Sequence, residues 1–172
     1  MRGNLDWKPL AEHPELVAGP VRDAGIDLNG AEVVAIDPEL ADTAAFCLAY
    51  QTPLENSANC VIVAGRRGDV TRYAAVMVLA SSRADVNGVI RKRLDARKCS
   101  FAPMDEACAL TQMEYGGITP IGIPAGWPVL VDDQVIAAGT VIVGSGLRSS
   151  KMLLPATELL RLPDAEQLQL TI

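Results

Sequence analysis

Aromatic residues are scarce in this sequence, and this limits how the core can be built. They make up 4% of the 172 residues, so Val, Leu, Ile and Ala have to fill the interior, which suits a sheet packed against helices with small side chains. With 49% hydrophobic content, the chain can bury one substantial core but is short for two. We therefore expect a single compact domain.

Cysteine and histidine are too few, and too widely spaced, for a usual metal site. Cys47, Cys60, Cys99 and Cys108 include no C-x-x-C pair, and His13 is the only histidine. We expect no metal, no cofactor and no disulfide framework, and we interpret Cys47 and Cys60 as small buried hydrophobic residues. An enzyme using Cys60 or Cys99 as nucleophile is disfavoured because no histidine lies near either cysteine in the sequence.

Long hydrophobic runs are absent as well. No apolar segment approaches the roughly 20 residues that span a bilayer. The first seven residues also lack the apolar stretch of a signal peptide. These absences predict a cytoplasmic protein without a membrane partner.

The acidic total hides an uneven distribution of charge. The net charge is −6, yet residues 1–45 carry nine acidic and three basic side chains, whereas residues 59–100 carry nine basic and three acidic ones. A fold that collects several of these cations on one face would attract a polyanion such as RNA; a solvated helix face and hairpin tips are the alternative. The basic residues are Arg66, Arg67, Arg72, Arg83, Arg91, Lys92, Arg93, Arg97 and Lys98.

Capping residues predict where several helices begin. Asp37 and Pro38 supply an N-cap and a preferred first residue, and Asp85 supplies a second N-cap before a basic segment. The predicted helices span residues 14–23, 37–50 and 85–94, a segment that opens at Pro103, and residues 155–162.

Two apolar segments predict a β-hairpin at the centre of a sheet. Cys60–Gly65 and Arg72–Ala80 flank a turn rich in glycine and arginine, and their nearly continuous hydrophobicity indicates burial on both faces. Further strands are predicted at residues 32–36, 99–102, 129–131 and 140–143.

A glycine and proline loop, Met113–Pro124, follows the helix that opens at Pro103. Its adjacent glycines, Gly116 and Gly117, let another molecule approach the main chain, while Pro120 and Pro124 fix φ and remove two donors. Such a loop either binds a ligand or forms only a sharp structural turn.

These features resemble the YbaK/EbsC-like family, relatives of the editing domain inserted in bacterial prolyl-tRNA synthetases. The resemblance rests on the Gly-x-x-x-Pro pattern from Gly116 to Pro120, on the order of the surrounding elements and on the later turn Gly144–Gly146, and it covers residues 37–162. It implies an α+β domain with a mixed, partly barrel-like sheet flanked by helices. We expect residues 37–172 to form this domain and residues 1–36 to be an acidic extension packed on it.

The resemblance further implies hydrolysis of mischarged aminoacyl-tRNA beside the glycine loop, where backbone groups hold the ester without a metal or a catalytic triad. We expect Gly116–Pro120 to border the main pocket, with Asn59 and Ser145 facing it. The expected partner is the acceptor end of an aminoacyl-tRNA, and a homodimer is also considered. The candidate residues are Asn59, Gly116 and Gly117 for catalysis; Ile118, Thr119, Pro120, Gly144, Ser145 and Gly146 for substrate binding; and Arg91, Lys92, Arg93, Arg148 and Lys151 for tRNA binding.

One position departs from the family pattern. The hallmark lysine at the start of the first core strand matches Asn59 here. Loss of a charge-assisted hydrogen bond worth about 1.5–3 kcal/mol weakens binding roughly 10- to 100-fold unless another cation, such as Arg148 or Lys151, compensates. Two functions therefore stay open: a freestanding deacylase for a mischarged small aminoacyl ester, and a weak or inactive module that binds an aminoacyl or nucleotide-like ligand.

Overall fold

The computed structural model describes all 172 residues and contains nine β-strands. The strands are β1 (Lys8–Pro9), β2 (Glu32–Ala35), β3 (Ala58–Arg67), β4 (Val70–Leu79), β5 (Lys98–Phe101), β6 (Val129–Asp132), β7 (Thr140–Gly144), β8 (Ser150–Pro155) and β9 (Ala165–Leu168). They form a four-stranded sheet in the order β1-β2-β8-β7 and a five-stranded sheet in the order β5-β3-β4-β6-β9. The first sheet is antiparallel, and the second is mixed because β6 runs parallel to both β4 and β9.

Five short α-helices and several 3₁₀ turns connect the strands. The α-helices are α1 (Gly19–Asp23), α2 (Thr43–Tyr50), α3 (Arg91–Arg93), α4 (Met104–Thr111) and α5 (Asp133–Ala137). The 3₁₀ turns are Leu10–Glu12, Pro14–Leu16, Pro38–Leu40, Leu54–Asn56 and Ala156–Arg161, and Val86–Ile90 forms a π-helical segment that leads into α3. No helix is long and apolar enough to cross a bilayer.

The main core lies between the two sheets. It joins Val33 and Met152 of the four-stranded sheet to Met77 and Val131 of the five-stranded sheet. The outer face of the five-stranded sheet is covered by residues 86–94, and α2 covers the outer face of the other sheet. Both faces of β4 are thus buried from Ala74 to Leu79, as the continuous hydrophobicity predicted, whereas Val70–Arg72 at the hairpin end are exposed.

The α+β class with a mixed sheet is confirmed, but the sheets are not closed into a barrel. An isolated bridge between Ser57 and Ile142 joins them where β3 begins. The predicted hairpin is present: β3 and β4 pair in continuous register from Ala58 opposite Leu79 to Arg67 opposite Val70.

Three predicted helices are broken in the structure, one of them at the non-helical Gly88 within residues 85–94, and the helix expected over residues 155–162 is a 3₁₀ turn. The helix expected over residues 14–23 is interrupted because Val17 is extended, so a 3₁₀ turn precedes α1. The helix expected from Asp37 is likewise divided: Asp37 caps a 3₁₀ turn by accepting a hydrogen bond from the Glu39 N–H, and α2 begins anew after Asp42. This second start directs α2 toward the functional cleft described below.

The N-terminal 36 residues contact the rest of the chain extensively. They supply β1 and β2, and β2 pairs with β8 from Glu32 opposite Leu153 to Ala35 opposite Ser150. The Ala18 N–H also donates to the Ser145 carbonyl at 3.0 Å. The division of the chain at residue 36 stays a prediction.

Candidate functional site

A cleft of about 220 Å³ opens where the start of β3, the N-terminal end of α2 and the glycine loop meet. Both residues of the bridge between the sheets, Ser57 and Ile142, lie in its wall. The lining residues with polar or aromatic side chains are Asp42, Thr43, Phe46, Ser57, Asn59, Cys60, Tyr115, Arg148 and Lys151, and backbone is supplied by Gly116, Ile118 and Gly144 among others.

Lys151 is the buried cation of this cleft. It lies on β8 opposite Gly144 and Val34, and only 7% of the residue is exposed. Its ammonium makes no ion pair and lies 5.5 Å from the centroid of the Phe46 ring. Burial lowers the pKa of Lys151, whereas Cys47 and Asp42 act in the opposite direction and Arg148 adds to the lowering.

Asn59 lies in the same cleft and is oriented by α2. The Thr43 hydroxyl donates to Oδ1 of Asn59 at 2.8 Å, and the Asn59 side-chain N–H groups bind nothing else in the protein. Because Thr43 is the first residue of α2, the renewed helix start after Asp42 positions this contact. Asn59 therefore offers two neutral donors at the position that the sequence analysis matched to the family lysine.

The glycine loop and the later Gly144–Gly146 turn pack closely against each other within the protein. A Cβ on Gly117 would lie 2.6 Å from the Leu147 carbonyl oxygen, and a Cβ on Gly144 would lie 2.5 Å from the Gly117 oxygen. The Gly146 N–H donates to that same oxygen at 2.7 Å. Our interpretation that both adjacent glycines of the loop expose main chain to a ligand was therefore wrong for Gly117, which is buried against the second turn.

Arg148 lies at the rim of the cleft and is held there by several hydrogen bonds. Its guanidinium donates to the carbonyl oxygens of Tyr115 at 3.0 Å and Pro38 at 2.9 Å, and its backbone N–H donates to the Glu114 carboxylate at 3.0 Å. It also lies 5.6 Å from the Tyr115 ring centroid. Arg148 thus ties the glycine loop to the segment before α2, and its positive charge stays at the entrance.

Four of the predicted substrate-binding residues do not line the cleft. Ser145 is fully buried, and its hydroxyl contacts the Ser150 hydroxyl at 2.6 Å, so the expectation that it faces the pocket was wrong. Thr119 is also fully buried, and Gly146 packs on Ala18. Pro120 lines a separate apolar cavity of about 390 Å³ beside Trp127.

The predicted RNA-binding cations fall in different places. Arg91 lines a groove of about 470 Å³ at the β5 edge, far along β3 from Asn59, whereas Arg93 is paired with Glu166 at 2.6 Å and Lys92 is exposed outside the groove. The other cations of the groove are Arg66, Arg97 and Lys98, and no acidic residue lines it. These three were visible in the sequence only as part of the charge excess.

The cysteines lack the environment of a nucleophile. Cys60 lines the cleft, but burial strongly raises the pKa of its thiol, so it stays protonated at neutral pH. Burial also raises the pKa of Cys99. The arrangement instead presents to a ligand the neutral donors of Asn59, two cations, Lys151 and Arg148, and one carboxylate, Asp42.

Comparison with known proteins identifies the family of this chain. The profile of the aminoacyl-tRNA editing domain family matches residues 37–162, and the chain therefore belongs to this family. A search of curated proteins found no significant match.

Solved structures share the fold at low sequence identity. A candidate trans-editing enzyme for prolyl tRNA synthetase superposes with a TM-score of 0.74 at 18% identity, covering 97% of this chain and 99% of that one. A scaffold protein used for epitope backbone grafting by computational design gives a TM-score of 0.74 at 19% identity, covering 96% and 99%. A hypothetical protein gives a TM-score of 0.74 at 16% identity, covering 88% and 96%. Because the fold extends over nearly the whole chain, it includes the N-terminal strands that precede the family match.

Proposed function

We propose that this protein is a freestanding trans-editing deacylase that hydrolyses a mischarged small aminoacyl ester on tRNA. The observation that carries the proposal is that one cleft contains both the buried ammonium of Lys151, which makes no ion pair, and the free amide donors of Asn59. Membership of the aminoacyl-tRNA editing family supports it. In this account Lys151 supplies, from a different strand, the charge that the family lysine supplies at the position of Asn59.

The reaction needs little more than such a site. Water attacks the ester carbonyl carbon, the bond to the ribose oxygen breaks, that oxygen takes up a proton, and the free amino acid leaves. An aminoacyl ester is reactive, so the main requirements are a positioned water and donors for the negative charge that develops on the carbonyl oxygen. The Lys151 ammonium and the Asn59 amide meet the second requirement, and the main chain of Gly116 and Ile118 forms the wall against which the aminoacyl group rests.

The size of the cleft supports a small side chain as substrate. Its volume of about 220 Å³ is below the roughly 300–1,000 Å³ of pockets for drug-sized ligands. Phe46, at the base, is almost fully buried and cannot yield space without disturbing the core. The cleft therefore accommodates a small aminoacyl group as it stands.

The basic groove supports contact with the tRNA body. None of its four cations, Arg66, Arg91, Arg97 and Lys98, forms an ion pair within the protein. Arg66 lies seven residues along β3 from Asn59, which is roughly 23 Å in a strand. An acceptor end in the cleft would thus leave paired nucleotides near the groove. A homodimer and a cytoplasmic location stay predictions.

A second candidate is a module that binds an aminoacyl or nucleotide-like ligand without turnover. The observation that favours it is Asn59 itself, which is neutral and whose carbonyl is held by Thr43. The two candidates differ in product formation. Purified protein should be incubated with a panel of tRNAs mischarged with small and large amino acids, alongside a mock purification; release of a small amino acid above the mock rate supports the deacylase, and binding without release supports the module.

A further inference from the structure

Asp42 holds an N-cap position but does not cap its helix. At three other helix starts, Asp37, Asp85 and Asp132 accept a hydrogen bond from a backbone N–H of the first turn. The side chain of Asp42, which precedes α2, accepts none and forms no ion pair. An aspartate that leaves this role unfilled has its carboxylate available for another partner.

Asp42 is an exposed residue in the wall of the cleft. Asp42 is the one acidic residue among those that line it. It lies close enough to Lys151 that its charge raises the pKa of the lysine, against the larger lowering caused by burial. Yet Lys151, which is 7% exposed and has no hydrogen-bond partner, makes no salt bridge with Asp42. The cleft therefore presents one carboxylate that makes no salt bridge with the buried Lys151 ammonium, and a second cation, the Arg148 guanidinium, which is hydrogen-bonded to backbone carbonyls at the rim.

This separation of charge matches the substrate of the proposed function, on which the inference rests. An aminoacyl ester carries a positive α-ammonium group three bonds from the carbonyl oxygen that becomes negative during hydrolysis. We propose that Asp42 binds the α-ammonium group of the aminoacyl moiety and so restricts the site to esters with a free amine. N-acylated esters, such as peptidyl-tRNA, lack this positive charge and would meet an unpaired carboxylate.

Binding of stable analogues tests this assignment apart from turnover. The probes are 3′-alanylamido-3′-deoxyadenosine, in which an amide replaces the ester, and its N-acetyl derivative, each titrated calorimetrically into wild type, Asp42→Asn and Glu39→Gln. Asparagine is an equally good N-cap residue, so Asp42→Asn should fold. Glu39→Gln is the matched control because it removes one exposed negative charge three residues earlier, outside the cleft.

We expect wild type and Glu39→Gln to prefer the free amine by about 10-fold or more, and Asp42→Asn to bind the two compounds within about twofold of each other. A preference that survives in Asp42→Asn, equal binding by wild type, or no binding of either compound overturns the assignment. If wild type prefers the free amine but hydrolyses no mischarged tRNA, the amine site stands and the deacylase proposal fails.

Discussion

The ammonium of Lys151 lies 5.5 Å from the centroid of the Phe46 ring, and it is held there without a carboxylate partner. Contact of a cation with an aromatic face is worth about 0.5–2 kcal/mol, which offsets only part of the cost of burying a charge. A lysine kept under these conditions lowers stability unless something outside the protein binds it. The contact is therefore easier to explain as part of a binding site than as part of the core.

Replacing this lysine by methionine should stabilise the protein. Lys151→Met removes the buried charge and keeps most of the apolar side chain on Phe46, and a gain of about 1 kcal/mol would raise the thermal midpoint by roughly 2–4 °C in a chain of this length. The midpoint can be followed by circular dichroism at pH 7. A lower midpoint would show that the charge stabilises the fold and would contradict this reading.

The same variant gives a pH test. Burial lowers the pKa of Lys151 in the folded state below its unfolded value of about 10.4. Between those two values the unfolded chain binds more protons, so wild-type stability rises with pH in that window. The stability difference between Lys151→Met and wild type should hence shrink from pH 8 toward pH 10. A difference that grows would show that the pKa of Lys151 is raised and not lowered.

Moving the positive charge from position 151 to position 59 tests whether Lys151 replaces the family lysine. If a single cation suffices, adding Asn59→Lys to Lys151→Met should restore part of the deacylation rate lost in Lys151→Met, since both positions line one cleft. Asn59→Gln in the same background is the control, because it lengthens the side chain without charge. Equal rates for the two double variants would count against interchangeable cations.

Backbone packing between the two turns should be sensitive to one added methyl group. Gly144→Ala would place a Cβ 2.5 Å from the Gly117 oxygen and 2.6 Å from the Ile118 oxygen, and such overpacking costs about 1–3 kcal/mol. Gly19→Ala is the control, since its Cβ meets only an Arg22 side-chain nitrogen at 3.7 Å. Urea unfolding should show a clear loss for Gly144→Ala alone; equal midpoints would disprove the tight contact.

The basic groove predicts how RNA binding responds to single substitutions. Arg91 lines the groove, whereas Arg93, two residues later, is engaged by Glu166. Arg91→Ala should weaken binding of an uncharged acceptor-stem minihelix and reduce the slope of log K against log salt by about 1, while Arg93→Ala should change little. Fluorescence anisotropy across a salt series measures the affinity and its salt dependence. Binding that does not depend on salt would show that RNA does not bind in the groove.

Features set by local signals could be predicted from the sequence. The hairpin of β3 and β4 follows from two continuous apolar segments, and the caps at Asp37 and Asp85 follow from short polar side chains before a turn. Family membership followed from the glycine and proline loop and the order of elements around it. Each of these depends on neighbours in the sequence.

Features set by tertiary contacts could not be predicted. The sequence predicts Ser145 to be a ligand-facing residue of a glycine turn, but contact with Ser150 and the N-terminal segment buries it. β8 was missed because its polar start, Ser150 and Lys151, hides a strand that is buried on both faces. The position of Asp42 in the cleft was also missed, although an Asp-Thr pair before an apolar segment is itself a helix-start signal.

The role of Lys151 in deacylation can be measured as the initial rate of ester hydrolysis on the preferred mischarged tRNA, compared between wild type and Lys151→Met. We expect measurable turnover by wild type and a roughly 10- to 100-fold lower kcat/KM for Lys151→Met, because a charge-assisted contact worth about 1.5–3 kcal/mol is lost while the fold becomes more stable. A wild-type protein that leaves every tested ester intact, or a variant as active as wild type, would contradict this expectation.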